Sequence, residues 1–298
     1  MIEGYITDKR YKEAEPLILS YLQEQPDSWW GWYALGYVQF GQQKLGESVK
    51  SLAKSLQLNI NNANAHEVLG RDMMIIGRFD FAKIEFEQAA RLNPKSAEVR
   101  QSLGKLFSIQ DNWVPAKREF EAAIQLDPLY IEAYDGLGLA LDALGDDAGA
   151  IATYEKAIRL NEERKGNFSA PYVNLSAHYN QAGNTAAALE YAHKALGINP
   201  KSDPGLFQIA KAHERLGELN AALESLKAAI AINPRPSSYH YVLGTVYRRL
   251  GKTGESREAF ELFRKLEKES SEIDQKKRDA ARAEPVRFST PSKGGGVE

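Results

Sequence analysis

The chain has 298 residues, 43% of them hydrophobic, no cysteine, and a formal net charge of −2 from 38 basic and 40 acidic side chains. So even a balance supplies no long-range field to draw in a nucleic-acid backbone or an anionic membrane, and the lack of cysteine excludes disulfides, thiolate metal sites and a cysteine nucleophile. No apolar run approaches the roughly 18 residues that span a bilayer, and Met1-Ile2-Glu3-Gly4-Tyr5 lacks the basic and apolar regions of a signal peptide. The expectation is a folded cytoplasmic chain that neither binds nucleic acid nor inserts into a membrane.

A period of 34 residues organises the rest. Gly36, Gly70, Gly104 and Gly138 stand at that interval, each after a leucine, and after one break of 38 residues the slot resumes as Ser176, Ala210 and Gly244. A fixed period of this length means stacked copies of one small unit that cannot bury its apolar face alone.

Residues 1–28 read as an incomplete unit, because Ala14 sits 34 residues before Ser48 and Pro26 sits 34 before Ile60. Asp8 to Gln25 is then its second helix, and residues 1–6 are short for a first one. Either the natural chain is longer, or the apolar flank near Tyr5, Tyr11 and Leu17 is left for another surface, a second copy of the chain included; the plainer reading is a frayed but adequate end.

Four complete units fill residues 29–164, starting at 29, 63, 97 and 131. The first half of a unit has helical apolar spacing, as in Tyr134, Leu137, Leu141 and Leu144, and so has the second, as in Ala150, Tyr154, Ala157 and Ile158. Glycine at the fifteenth position (Gly77, Gly145, Gly183, Gly217, Gly251) suits the left-handed stop of the first helix. Small residues at positions 8 and 20 let the helices close up, and Phe86, Phe120 or Tyr154 at position 24 fills the space beside them. Proline at position 32 (Pro94, Pro128, Pro200, Pro234) stops the second helix.

Residues 165–168, Lys165-Gly166-Asn167-Phe168, are an insertion; Glu162 stands where proline stands elsewhere, so the preceding helix is expected to gain about one turn, stop at Gly166 and leave Phe168 beside the joint. Three more units fill residues 169–270, starting at 169, 203 and 237. Residues 271–284 read as a polar helix that keeps the last face soluble, and residues 285–298 as a disordered tail.

This pattern resembles the tetratricopeptide repeat, with its W-x2-L-G-x2-Y, A-x3-F and P signature. The residues that carry the likeness are Trp32-x2-Leu35-Gly36, Ala82-x3-Phe86 with Pro94, Ala116-x3-Phe120 with Pro128, and His240-x2-Leu243-Gly244-x2-Tyr247. The resemblance implies an all-α fold, a right-handed superhelical solenoid of antiparallel helical hairpins, whose first helices line a concave groove for a peptide or partner segment. It also implies that positions 2, 5, 9 and 12 face that groove. The candidate groove residues are then Trp30, Tyr33, Tyr37 and Phe40, followed by Glu67, Arg71, Met74, Gln101, Lys105, Asp135, Asp142, Phe207, Lys211, Tyr241 and Arg248. Trp30, Tyr33, Tyr37 and Phe40 form an aromatic stripe of the kind that anchors binding, or else cover the incomplete first unit. The lysine–asparagine clamp of relatives that bind chaperone tails is absent: no unit has lysine at position 5 or asparagine at position 9.

Nothing in the sequence forms a catalytic constellation. The five histidines fall on repeat slots without metal-ligand spacing, Gly136-Leu137-Gly138 lacks the strand and third glycine of a dinucleotide loop, and Asp146-Asp147 sits where a helix is capped. The expectation is a non-enzymatic protein-interaction scaffold with no cofactor and no metal. The alternative is the recognition arm or regulatory subunit of a larger enzyme or assembly.

Overall fold

The computed structural model describes residues 1–283, with backbone alone at 274 and 277–283; the expected tail at 285–298 lies outside the described residues. Among these there are sixteen helices and no strand. The short α1 (Ile2–Thr7) packs on α2 (Tyr11–Glu24), and seven full hairpins follow. They are α3 (Trp29–Gly41) with α4 (Leu45–Leu58), α5 (Ala63–Ile75) with α6 (Phe79–Leu92), α7 (Ala97–Ile109) with α8 (Trp113–Leu126), α9 (Ile131–Ala143) with α10 (Asp147–Glu163), α11 (Ala170–Ala182) with α12 (Thr185–Ile198), α13 (Asp203–Leu216) with α14 (Leu219–Ile232), and α15 (Ser237–Arg249) with α16 (Thr253–Ala283). The last helix runs unbroken for 31 residues, so one helix carries both the closing unit and the polar extension. None of the helices is long and apolar enough to cross a membrane, among the described residues.

Each hairpin closes around a size match. The glycine of position 8 leaves room for the side chain of position 24: a Cβ on Gly70 would lie 2.7 Å from the Phe86 ring, and one on Gly104 would lie 2.7 Å from Phe120. Both rings are buried. Where position 24 is the small Ala192, position 8 can carry Ser176, whose hydroxyl donates to the Ala188 carbonyl at 2.7 Å.

In four of the seven full units position 4 is a donor slot. Trp32 Nε1 donates to the Pro26 carbonyl at 2.7 Å, His66 Nε2 to Ile60 at 2.9 Å, Tyr134 Oη to Pro128 at 3.2 Å and His240 Nε2 to Pro234 at 2.8 Å. Each acceptor is the carbonyl that closes the preceding unit. Three chemically different side chains therefore do one job, satisfying a carbonyl of the linker just past the preceding helix. Because a carbonyl can only accept, His66 and His240 carry the proton on Nε2.

The turn between the helices of a unit always passes through the left-handed region. Glycine fills it at 77, 145, 183, 217 and 251, but Lys9 (φ 56°), Gln43 (φ 63°) and Asp111 (φ 56°) hold the same slot without it. The insertion repeats the device. Helix α10 reaches Glu163, 17 residues against 14 in α4, α6 and α8. It does not stop at a left-handed Gly166: Lys165 takes the positive φ of 52°, and the Gly166 N–H returns to the Asn161 carbonyl at 2.7 Å. Gly166 is required by close approach instead, since a Cβ there would collide with the Asn161 side-chain oxygen that accepts from the Phe168 N–H at 3.1 Å. Phe168 packs against Ile131, Ala157 and Leu160 at the joint.

Contacts between successive units set the curvature. Each odd-numbered helix from α3 onward touches the next odd-numbered one, whereas successive even-numbered helices make no comparable contact among the described residues. A stack whose first helices approach more closely than its second helices curves with the first helices inside. That places α3, α5, α7, α9, α11, α13 and α15 on the inner wall.

Candidate groove on the inner helices

The aromatic stripe lies at the amino-terminal mouth of the inner wall. Trp30, Tyr33 and Tyr37 line an open cleft of about 490 Å³, with Ala34 beside them and Glu3, Ile6, Thr7 and Lys9 opposite. Trp30 meets Tyr21 edge-on at 5.6 Å, and Tyr37 meets Tyr11 edge-on at 6.3 Å and Tyr33 at 6.2 Å. Tyr33, Tyr37 and Phe40 rest on an apolar core that their own hairpin shares with the next, and Met74 of α5 packs on the same core. All four stripe residues are half-buried, so they form wall and surface at once. The opposite wall, from α1 and its turn, is something the 34-residue pattern alone does not show, because α1 holds less than half of a full first helix.

Deeper along the wall, Arg71 lies 5.0 Å from the Phe40 ring and 3.8 Å from the Glu67 carboxylate. Burial, then Tyr37 and Glu67, pushes the Tyr33 hydroxyl up to about 12. Tyr130 is likewise pushed up to about 12, by burial first and then by Glu132 and Glu98. Tyr130 is the functional candidate that sequence reading missed. It occupies the slot where Ser28, Asn62, Ser96 and Ser202 accept from a backbone N–H to begin a helix. Tyr130 makes no such cap, and that break in the serine–asparagine column was the available signal.

Among the expected groove residues, Gln101 is half-buried and Lys105 exposed on α7. Phe207 is half-buried, 4.5 Å from the Tyr239 ring and 5.9 Å from Lys211 Nζ. Tyr241 is half-exposed against Phe260 and Phe263, and Arg248 lies 5.8 Å from the Phe260 ring.

Asp135 and Asp142 are differently placed, both committed to the neighbouring hairpin. Asp135 is buried and accepts from Asn174 Nδ2 at 2.8 Å, and burial pushes its carboxyl up to about 6. Asp142 contacts His178 Nδ1 at 2.6 Å and Tyr154 Oη at 3.4 Å.

His178, Asp142 and the exposed Asp147 bring ligand-type atoms within 4.8 Å of one another. Sequence spacing could not reveal this, because His178 comes from the next unit. Both Asp142 oxygens already have partners, which makes the arrangement a hydrogen-bonded joint between hairpins. Two other histidines make such contacts inside a single hairpin: His66 Nδ1 lies 2.6 Å from Glu85, and His213 Nδ1 lies 2.6 Å from Glu218.

Comparison with known proteins agrees with this architecture. Residues 131–164 and 179–245 each match a family model described as tetratricopeptide repeat. No curated protein matches the sequence. Among solved structures, a chain of the APC/C hetero-tetramer Cut9–Hcn1 superposes with a TM-score of 0.73 at 18% identity, over 82% of this chain and 48% of that one. This chain thus spans about half the length of that relative. A tetratricopeptide repeat protein from Parabacteroides merdae gives a TM-score of 0.66 at 16% identity, covering 82% of this chain and 95% of its own. PilW, a type IV pilus biogenesis factor, gives 0.60 at 18% identity over 66% and 90%. At these identities the likeness is one of fold.

Proposed function

This chain belongs to the tetratricopeptide-repeat family, and from that premise we propose that it is a non-catalytic scaffold that holds a peptide or partner segment along its inner helices. The observation that carries the reading is the mouth of the groove. Trp30, Tyr33 and Tyr37 stand half-buried around an open cleft instead of being sealed into a core. Half-exposed aromatic side chains on a rigid helix offer large contact area at small entropic cost, which is what binding anchors require. Among the described residues, the buried titratable groups along the inner helices serve packing: Asp135 and Asp142 pair with Asn174 and His178 of the next hairpin, and His66 pairs with Glu85 inside its own.

The test is selection from a display library of random 12-residue peptides on the intact chain, followed by affinity measurement on Tyr33→Ala/Tyr37→Ala. Loss of about tenfold or more in affinity with unchanged helical content is the expected result, as for removal of interfacial anchors. Selected peptides that bind the variant as tightly as the native chain would remove the aromatic mouth from the binding surface.

A further inference from the structure

The two halves of the inner wall carry opposite unmatched charge. In the first half, Arg71 is engaged by Glu67 and Phe40. Glu98 and Glu132 then stand exposed, with no cationic partner within ion-pair distance among the described residues. The Glu98 carboxylate accepts from the Ser96 hydroxyl at 2.9 Å, and the exposed Lys105 forms no ion pair among the described residues. Tyr130 stands at the start of α9, two residues before Glu132.

In the second half the sign reverses. Lys211 is half-buried over the Phe207 ring and Arg248 lies over Phe260, and neither meets a carboxylate among the described residues. Glu214 on the same wall is already held by Arg249. Burial, reinforced by Arg215, holds the Lys211 ammonium below its ordinary range, as expected of a desolvated cation that lacks an anion.

We propose that the groove is polarised from end to end and takes a flexible peptide segment with a block of positive charge at one end and a block of negative charge at the other. The positive block lies over Glu98, Glu132 and Tyr130, and the negative block over Lys211 and Arg248. This rests on the groove reading above and names the partner's chemistry. Unmatched charges on a binding wall favour a ligand of complementary sign and repel one of like sign, which fixes register more than it adds affinity. Neighbouring helices pack about 10 Å apart. The three steps between the centres of the two charged regions therefore span about 30 Å, which an extended chain covers in about nine residues. A 12-residue segment with three charges at each end fits.

Two fluorescently labelled peptides test this. One carries three lysines at one end, three glutamates at the other and a Leu- and Tyr-containing centre; its control has the same composition with lysine and glutamate alternating. Anisotropy at low salt should show the block peptide binding about tenfold tighter, with the gap narrowing at higher salt. Glu98→Lys/Glu132→Lys should erase the preference, and so should Lys211→Glu/Arg248→Glu, each with helical content unchanged by circular dichroism. Combining all four reversals should restore it, since a peptide can enter a groove of inverted polarity the other way round. Equal affinities, no measurable binding of either peptide, or a preference that survives the double reversals would overturn the inference. The display selection separates this from the parent reading. Binders that depend on Tyr33 and Tyr37 but carry no charge blocks would overturn polarity alone, whereas the absence of any such binder would overturn the groove itself.

Discussion

The hairpin α5–α6 and the hairpin α11–α12 share one backbone plan and close it by opposite means. In the first, Phe86 fills the space over Gly70, and the joints to the flanking units are largely apolar, with Leu52, Leu69, Met73 and Leu106 in one continuous core. In the second, Ala192 replaces the ring, and polar side chains tie the inner helices together. Asp135 accepts from Asn174, Asp142 meets His178, and Asn180 donates to the Gln208 carbonyl at 2.9 Å. Inside a hairpin, shape must match, because two helices approach to contact. Between hairpins either chemistry suffices, with most buried polar atoms met; Asp72 Oδ1 and Asn180 Oδ1 are buried without a partner among the described residues.

The largest expected effect tests the apolar side of that contrast. Phe86→Ala removes a fully buried ring that Gly70 is shaped to receive, and should cost about 3–5 kcal/mol in urea unfolding. A cost below about 1 kcal/mol would mean that hairpins do not depend on the match between positions 8 and 24.

Buried carboxyls sharpen the comparison next, one on each side of it. Asp72 on α5 is fully buried and pushed up to about 6 by that burial. Its Oδ2 accepts from the Ser48 hydroxyl at 2.6 Å, a hydrogen shared with the Gly36 carbonyl at 2.9 Å, and its Oδ1 has no hydrogen-bond partner among the described residues. Asp135 on α9 is also pushed up to about 6. Both folded-state values lie above the ordinary 3.8. Each group therefore contributes stability that is complete below about pH 3.8 and lost as pH rises through about 6. Asp72→Asn and Asp135→Asn should each stabilise the protein above pH 7, by an amount on the order of 1–3 kcal/mol. Each should converge on the native value near pH 4. Melting curves across that range check this, and a variant offset that does not change with pH would refute it. His66 adds a contribution of the same sign at higher pH: burial opposes its charge, but hydrogen bonds to Glu85 and Ile60 prevail and raise it, so its stabilisation is lost above its ordinary 6.5.

The smallest effect concerns the turns. Gln43 and Asp111 hold a left-handed conformation that glycine holds in the α5–α6 and α11–α12 hairpins. Gln43→Gly and Asp111→Gly should each stabilise by about 0.5–1 kcal/mol in thermal unfolding, because the penalty on Cβ outweighs the entropy that glycine loses. Destabilisation would show that these side chains make contacts worth more than the strain.

Much of this was legible in the residues alone. The 34-residue spacing, the small residues at positions 8 and 20 and the aromatic at 24 gave the hairpin, its period and its interior, because each is imposed by contacts within one unit. The insertion was readable as a longer helix, but its stop was not: Gly166 looked like the left-handed residue, whereas Lys165 takes that role and Gly166 makes room for Asn161. The donor slot at position 4 was hidden because Trp32, His66, Tyr134 and His240 share a hydrogen-bonding capacity and not a size. Slots 2, 5, 9 and 12 marked the inner wall, yet could not tell Lys211, which has no anion, from Asp135, which is buried against Asn174.

From the sequence by itself came the repeat, the helices and their pairing, since local spacing and turn chemistry act over a few residues and recur in every copy. Which side chains on the inner face remain available to another molecule was decided only by the stack, because a charge is free or matched according to what the next hairpin, some 34 residues away, places opposite it.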